Sequence, residues 1–279
     1  MAAIDSSLVS LFGSDTSSSS ILGTLYGNGA AVSSGALNAL SALRLAENNQ
    51  TKSIATTAKQ SDVARDVAAF RKGIASAKDA ASALKNPSVL KVLLTANGLS
   101  DQLGYTALAT RTLLSNINDK KSLANTLTDT RWKAVVKSYD FANKGLTNLK
   151  SASVQNTIAN GYAEIAWRKS LDATTPGLSN ALSFRSHAAG ITSVDQILGD
   201  RTLRTVVTTA LGIPQQIAFQ GLLAQEKAIS SRVDITKFKD PKFVETFTQR
   251  YLIAAGNAAT STTGSDLSSL AVSATSLMV

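Results

Sequence analysis

The sequence predicts an all-α protein, and three observations carry that prediction. Apolar residues recur at three- and four-residue spacing, as in Trp132, Val135, Val136 and Tyr139, the period of a helix with one buried face. No run alternates apolar and polar residues between hairpin-type turns. Asn or Asp repeatedly stands just before a helical run and glycine just after it. Those residue types cap the first free amides of a helix and end it in a left-handed turn.

Residues 1–34 carry SDTSSSS and GNGAAVSSG in place of core formers and are expected to be a disordered Ser/Gly-rich tail. Two small apolar clusters, LVSLF and ILGTLY, interrupt it and suit a segment that orders against a partner. Residues 35–253 read as the helical domain. Leu37, Leu40 and Leu43 open a first helix at helical spacing, and SDVARDVAAFRKGI reads as a second. A connecting helix over 151–170 carries Val154, Ile158, Tyr162 and Ile165 on one face. Residues 254–279 return to the polar texture of the N-terminus and are expected to be a flexible tail, with Leu267, Leu270 and Leu277 spaced for a conditional helix.

Within the helical domain the sequence matches itself at an offset of 114 residues. Phe70–Arg71 pairs with Phe184–Arg185, Leu84 with Leu198, Val92 with Val206, Thr95–Ala96 with Thr209–Ala210, and Gly98 with Gly212. Asn86 and Asp200 hold the same capping place, and Gly98–Leu99 and Gly212–Ile213 the same stop. Ser100 and Pro214 are then expected to start the next helix. Further on, Asp129 before TRWKAVVKSY matches Asp240 before PKFVETFTQRY at an offset of 111. This predicts an internally duplicated multi-helix body, with repeat one over 63–141 and repeat two over 177–252.

The bulk composition restricts function. The chain of 279 residues has 44% hydrophobic residues, 5% aromatic residues and no cysteine, which excludes a disulfide scaffold, a thiolate metal site and a cysteine nucleophile. The single histidine, His187 in FRSHAAG, reads as an ordinary helix-end residue. No P-loop, GxGxxG, GxSxG or HExxH motif occurs. No catalytic, cofactor-binding or metal residue is therefore expected, and the chain reads as no enzyme. Glu164, beside the apolar stripe of the connecting helix and three residues before Trp167, is the carboxylate expected to be buried in an ion pair with Lys or Arg. The terminus MAAIDSSLVSLFGSD lacks a basic leader and no stretch reaches membrane-helix length, so synthesis in the cytoplasm is expected.

Charge is uneven. Of the net +9, residues 44–253 carry +12 and the two ends −3. Seven Lys/Arg residues face two Asp between Lys120 and Lys150. They are spread singly without interleaved aromatics, which favours an acidic protein partner over nucleic acid.

The segments AGITSVDQILGDRTLRTVVTTALGIP and VDITKFKDPKFVETFTQRY resemble the alphaproteobacterial domain-of-unknown-function family 1217. Ile191–Ser193, Asp200, Ala210–Gly212, Pro214, Lys239–Pro241 and Gln249–Tyr251 carry the pattern, and SLANTLTDTRWKAVVKSYDF is similar to the family's first half. The resemblance spans residues 63–252. It implies an all-helical fold, no catalytic residues and association with the bacterial flagellum, since members are often encoded among flagellar genes. An absent cysteine, few aromatics and a polar N-terminal segment also suit a chain threaded unfolded through an export channel. The expected function is a non-enzymatic structural or export component of the flagellum, synthesised in the cytoplasm and exported without a cleaved signal peptide. It would act through contacts with other flagellar or export proteins of acidic surface. The alternatives are a cytoplasmic flagellar assembly factor or adaptor and, third, a basic helical nucleic-acid-binding or regulatory protein.

Overall fold

A computed structural model describes the backbone of residues 34–276 and the side chains of residues 37–258. The tail expected over 1–34 lies outside the described residues apart from Ser34, which opens the first helix. The helices are α1 (Ser34–Thr57), α2 (Ser61–Ser76), α3 (Ala80–Lys85), α4 (Pro87–Ala96), α5 (Thr106–Leu113), α6 (Leu123–Thr126), α7 (Thr130–Tyr139), α8 (Phe141–Lys144), α9 (Thr147–Lys150) and α10 (Ala152–Leu171). They continue as α11 (Leu178–His187), α12 (Val194–Gly199), α13 (Arg201–Ala210), α14 (Leu222–Ser230) and α15 (Pro241–Ser276). No strand occurs among the described residues. The fold is all-α.

Local chemistry sets the boundaries, and it does so in the same order twice. Asp79 and Ser193 open α3 and α12 with capping boxes closed by Ser82 and Gln196. Asn86 Oδ1 accepts from the amides of Ser88 and Val89, and Asp200 Oδ1 from those of Thr202 and Leu203. At the far ends Gly98 (φ 73°) and Gly212 (φ 62°) take the left-handed conformation. The Leu99 amide then donates to the Leu94 carbonyl and the Ile213 amide to that of Thr208, each at 2.8 Å. Both aliphatics fold back into the core, which is the Schellman stop.

One expectation is corrected. Ser100 and Pro214 do not start full helices: each leads into a short 3-10 turn, Ser100–Gln102 and Gln215–Phe219. Leu43 lies on the buried face of α1, whereas Leu37 does not. Leu37 is 48% exposed, and the buried face is Ala39, Leu43 and Ala46, small residues that let a neighbouring helix come close. The helix that begins at Pro241 runs on to Ser276, through the segment whose leucines are spaced for a conditional helix.

The described apolar residues form two cores. One gathers Val63, Phe70, the α4 residues Val89, Leu90 and Val92–Leu94, Leu113, Trp132 and Val136. The other gathers Phe184, Ile197, Val206, Val207, Phe238, Phe247 and Leu252, with Phe238 meeting Phe184 and Phe247 edge to face. Each fully buried large side chain here contributes about 1.5–3 kcal/mol.

The cores exchange their long helices. α1, at the head of the first half, places Ala39, Leu43 and Ala46 in the second core. α10, at the head of the second half, places Ile158, Tyr162 and Ala163 in the first core and only then reaches the second with Trp167. Two matching arginines reach across accordingly: Arg71 Nη2 donates to Asn156 of α10 at 2.8 Å, and Arg185 pairs with Glu47 of α1 at 2.9 Å. Neither half completes its core alone.

Candidate functional site

The densest polar structure lies in the seam where the two halves meet. Arg131, the second residue of α7, is its centre, with its side chain only 14% exposed. Nε donates to both oxygens of Asp129 at 3.0 and 3.1 Å. Nη1 donates to the Gly98 carbonyl at 2.6 Å and to Asp101 at 3.1 Å. Nη2 donates to Asp101 at 3.0 Å and to Asp129 at 2.8 Å. Asp200 of the second half stands 3.4 Å from Nε. One planar fork thus spans three carboxylates, a geometry that lysine cannot copy.

Two of those carboxylates also cap helices: Asp129 opens α7 and Asp200 opens α13. Asp101 belongs to the 3-10 turn after the Gly98 stop. The clamp therefore joins the end of α4, the start of α7 and the start of α13. At the same place Gly199 lies so near the Thr128 carbonyl that an added Cβ would sit 3.1 Å from its oxygen, and glycine permits that backbone approach. Burial works to raise the Asp101 pKa, but the hydrogen bonds and charge of Arg131 outweigh it and hold the carboxyl below its ordinary value. Burial likewise works to lower the Arg131 pKa, and the bonds it donates to Asp129 and Asp101, with the charge of Asp200, raise it instead.

A second arginine, Arg168 of α10, is buried beside this clamp. Nη2 bonds Glu164 at 2.5 Å and Nη1 bonds Ser183 at 3.1 Å, while Nε is buried without a protein partner. Gln50 Nε2 adds a 3.2 Å bond to Glu164 from α1. The ion pair read for Glu164 from the sequence is present, formed one turn along its own helix. A cavity of about 140 Å³ lies between the two arginines, lined also by Lys169, Ser179, Asn180, Ser183 and His187. Its walls mix these polar groups with Ile165 and Leu203, and its size suits water or a small polar group.

The arginines of this cavity are already engaged by carboxylates. The wall itself carries Arg131, Arg168 and Lys169 against Asp200, and the two arginines are also paired with Asp101, Asp129 and Glu164, which lie outside the lining. The guanidinium of Arg131 already occupies the point on which the aspartates converge. No cluster of three or more metal-ligating side chains that could hold an ion occurs among the described residues. His187 is the exposed last residue of α11, with Nδ1 2.8 Å from the Ser183 carbonyl, as its helix-end reading required.

The seven basic residues between Lys120 and Lys150 divide. Lys120, Lys121, Lys133, Lys137, Lys144 and Lys150 are exposed, whereas Arg131 is the clamp. Sequence reasoning counted Arg131 with the surface cations and missed its role. Its one local signal was a cation immediately inside an Asp cap and next to Trp132. No helix among the described residues is long and apolar enough to cross a membrane.

Residues 96–244 match the model of the DUF1217 family, described as protein of unknown function, and the matched stretch contains every clamp residue. A crystal structure of a protein from Agrobacterium tumefaciens is similar to the chain, with 26% identity and a TM-score of 0.66 over 81% of this chain and 96% of that one. No curated protein matches the chain.

Proposed function

The chain belongs to the DUF1217 family, and on that premise we propose that it is a non-enzymatic component of the bacterial flagellum. It acts through protein–protein contacts, exported from the cytoplasm without a cleaved signal peptide. One observation carries the interaction role: the fold uses its acids internally and turns its lysines outward. Asp79, Asp129, Asp200, Asp234 and Asp240 cap helices or turns. Glu47, Asp66, Asp101 and Glu164 pair with cations. The lysines of the 120–150 stretch stand exposed, and such a surface steers and selects an acidic partner. The flagellar part rests on the family resemblance and on the composition suited to threading.

We also read the two halves as copies of one ancestral unit. The recurring caps and stops and the reciprocal reach of Arg71 and Arg185 support that reading. Two copies give two related surfaces on one body.

Location tests the proposal. The protein is assayed in cytoplasm, culture medium and purified hook–basal bodies of the source cell and of a strain with an inactive flagellar export gate. Appearance in medium or basal bodies only when export works is expected. Confinement to the cytoplasm in both strains overturns the exported component and leaves the cytoplasmic adaptor.

A further inference from the structure

Residues 214–224, PQQIAFQGLLA, form the most apolar exposed strip among the described residues. Phe219 is 91% exposed, Leu223 81% and Leu222 54%. Single apolar side chains on a surface are ordinary, but three large ones within five residues mark a contact surface. The strip also has a direction. At its Phe219 end a cleft of about 480 Å³ is lined by residues 215–219 together with Arg201 and Arg204 of α13. At its other end Glu226 lies one turn beyond Leu222 on α14, against the carboxyl of Asp195 on α12. The hydrogen bond with Asp195 raises the Glu226 pKa, as two carboxyls without a shared cation require. Lys227 stands one turn beyond Leu223, so two acids outnumber one cation there. Read along the chain, the strip runs basic, apolar, acidic.

We propose that this strip is the interface through which two copies of the chain associate, antiparallel about a two-fold axis. Arg201 and Arg204 of one copy face Asp195 and Glu226 of the other, and Phe219, Leu222 and Leu223 of both pack between them. A two-fold interface must be complementary to itself, and a basic–apolar–acidic strip meets that condition when one copy is reversed. Phe and Arg are enriched in such interfaces, with apolar groups at the centre and charges at the rim. The inference is independent of the flagellar reading and stands or falls without it.

Sedimentation equilibrium of the full chain tests it, from about 1 µM to about 500 µM, a range that covers weak and moderate association. The wild type is expected to show a concentration-dependent dimer. Phe219→Ser with Leu223→Ser should raise its Kd at least about a hundredfold, because each copy loses two large apolar groups from the interface. Arg201→Glu and Glu226→Arg should each weaken the dimer, and the two together should restore it. Circular dichroism melts establish that each variant folds; all four side chains reach the surface, so the melts should change little. A wild type monomeric throughout overturns the proposal, as does a dimer that the apolar double variant leaves intact. Charge reversals that fail to compensate each other overturn the antiparallel pairing.

Discussion

Replacing Arg131 with methionine removes one guanidinium and leaves Asp101, Asp129 and Asp200 facing one another across the seam. The wild-type side chain is 14% exposed and the three carboxylates 19%, 11% and 13%, so solvent screening offsets little of the repulsion. Removing one member of a buried ion pair costs about 3–5 kcal/mol, because the charges left behind stay out of water. The bond to the Gly98 carbonyl, lost in the same step, lies within that total. For a chain of this size the loss corresponds to a fall in Tm of roughly 6–20 °C. The pH dependence has a definite sign. Asp101 is held below its ordinary pKa in the fold, so its contribution is present above the unfolded aspartate value of about 3.9 and disappears as pH falls through the folded value. In Arg131→Met the crowded carboxylates hold a proton more tightly. The gap between wild type and variant is therefore widest near neutral pH and narrows toward pH about 4. Urea unfolding followed by circular dichroism at both pH values measures it. A loss below about 1 kcal/mol at neutral pH, the size of an exposed pair, refutes the clamp, and so does a gap that fails to narrow on acidification. Arg131→Lys keeps the charge without the fork and should fall between the two.

Three further outcomes are expected. Gly98→Ala and Gly212→Ala should each cost about 1–2 kcal/mol in thermal unfolding, from the left-handed backbone alone, since nothing lies within 4 Å of either added Cβ; equal stability would mean that the helix stops are not held there. Asn86→Ala should cost about 1 kcal/mol as a lost cap, and Asp200→Ala more, because Asp200 also faces Arg131. A double-mutant cycle of Asp200→Ala with Arg131→Met should then show coupling of at least about 0.5 kcal/mol, and strict additivity would separate the two residues. A fragment ending at residue 150 lacks Ile158, Tyr162 and Ala163 of the first core and should show no cooperative melt, whereas one ending at residue 258 should retain it; a folded short fragment would contradict the exchange of long helices.

The sequence by itself determined the features whose cause lies within a few residues of chain. Asn86, Asp129, Asp200 and Asp240 each cap the next helix through bonds two or three residues long. Gly98 and Gly212 end helices because an L side chain resists positive φ. The Trp132–Tyr139 stripe is buried because its period matches one helix face. Glu164 found its arginine one turn away for the same reason. Even so, the leucine spacing did not delimit the buried face of α1: Leu43 is buried but Leu37 is exposed, and Ala39 and Ala46 complete the face, because the face is set by how closely the neighbouring helices approach. The crossing of α1 and α10 between the cores was likewise decided only in three dimensions, since an apolar stripe records that a face is covered and not by what. Arg131 is the clearest case. Its partners at Gly98, Asp101 and Asp200 stand 33, 30 and 69 residues away along the chain. Each of those aspartates looked like a cap or a solvated acid. A charge carries no mark of its distant partner in the sequence; only the packing of the two halves brought the four side chains together and took them out of water.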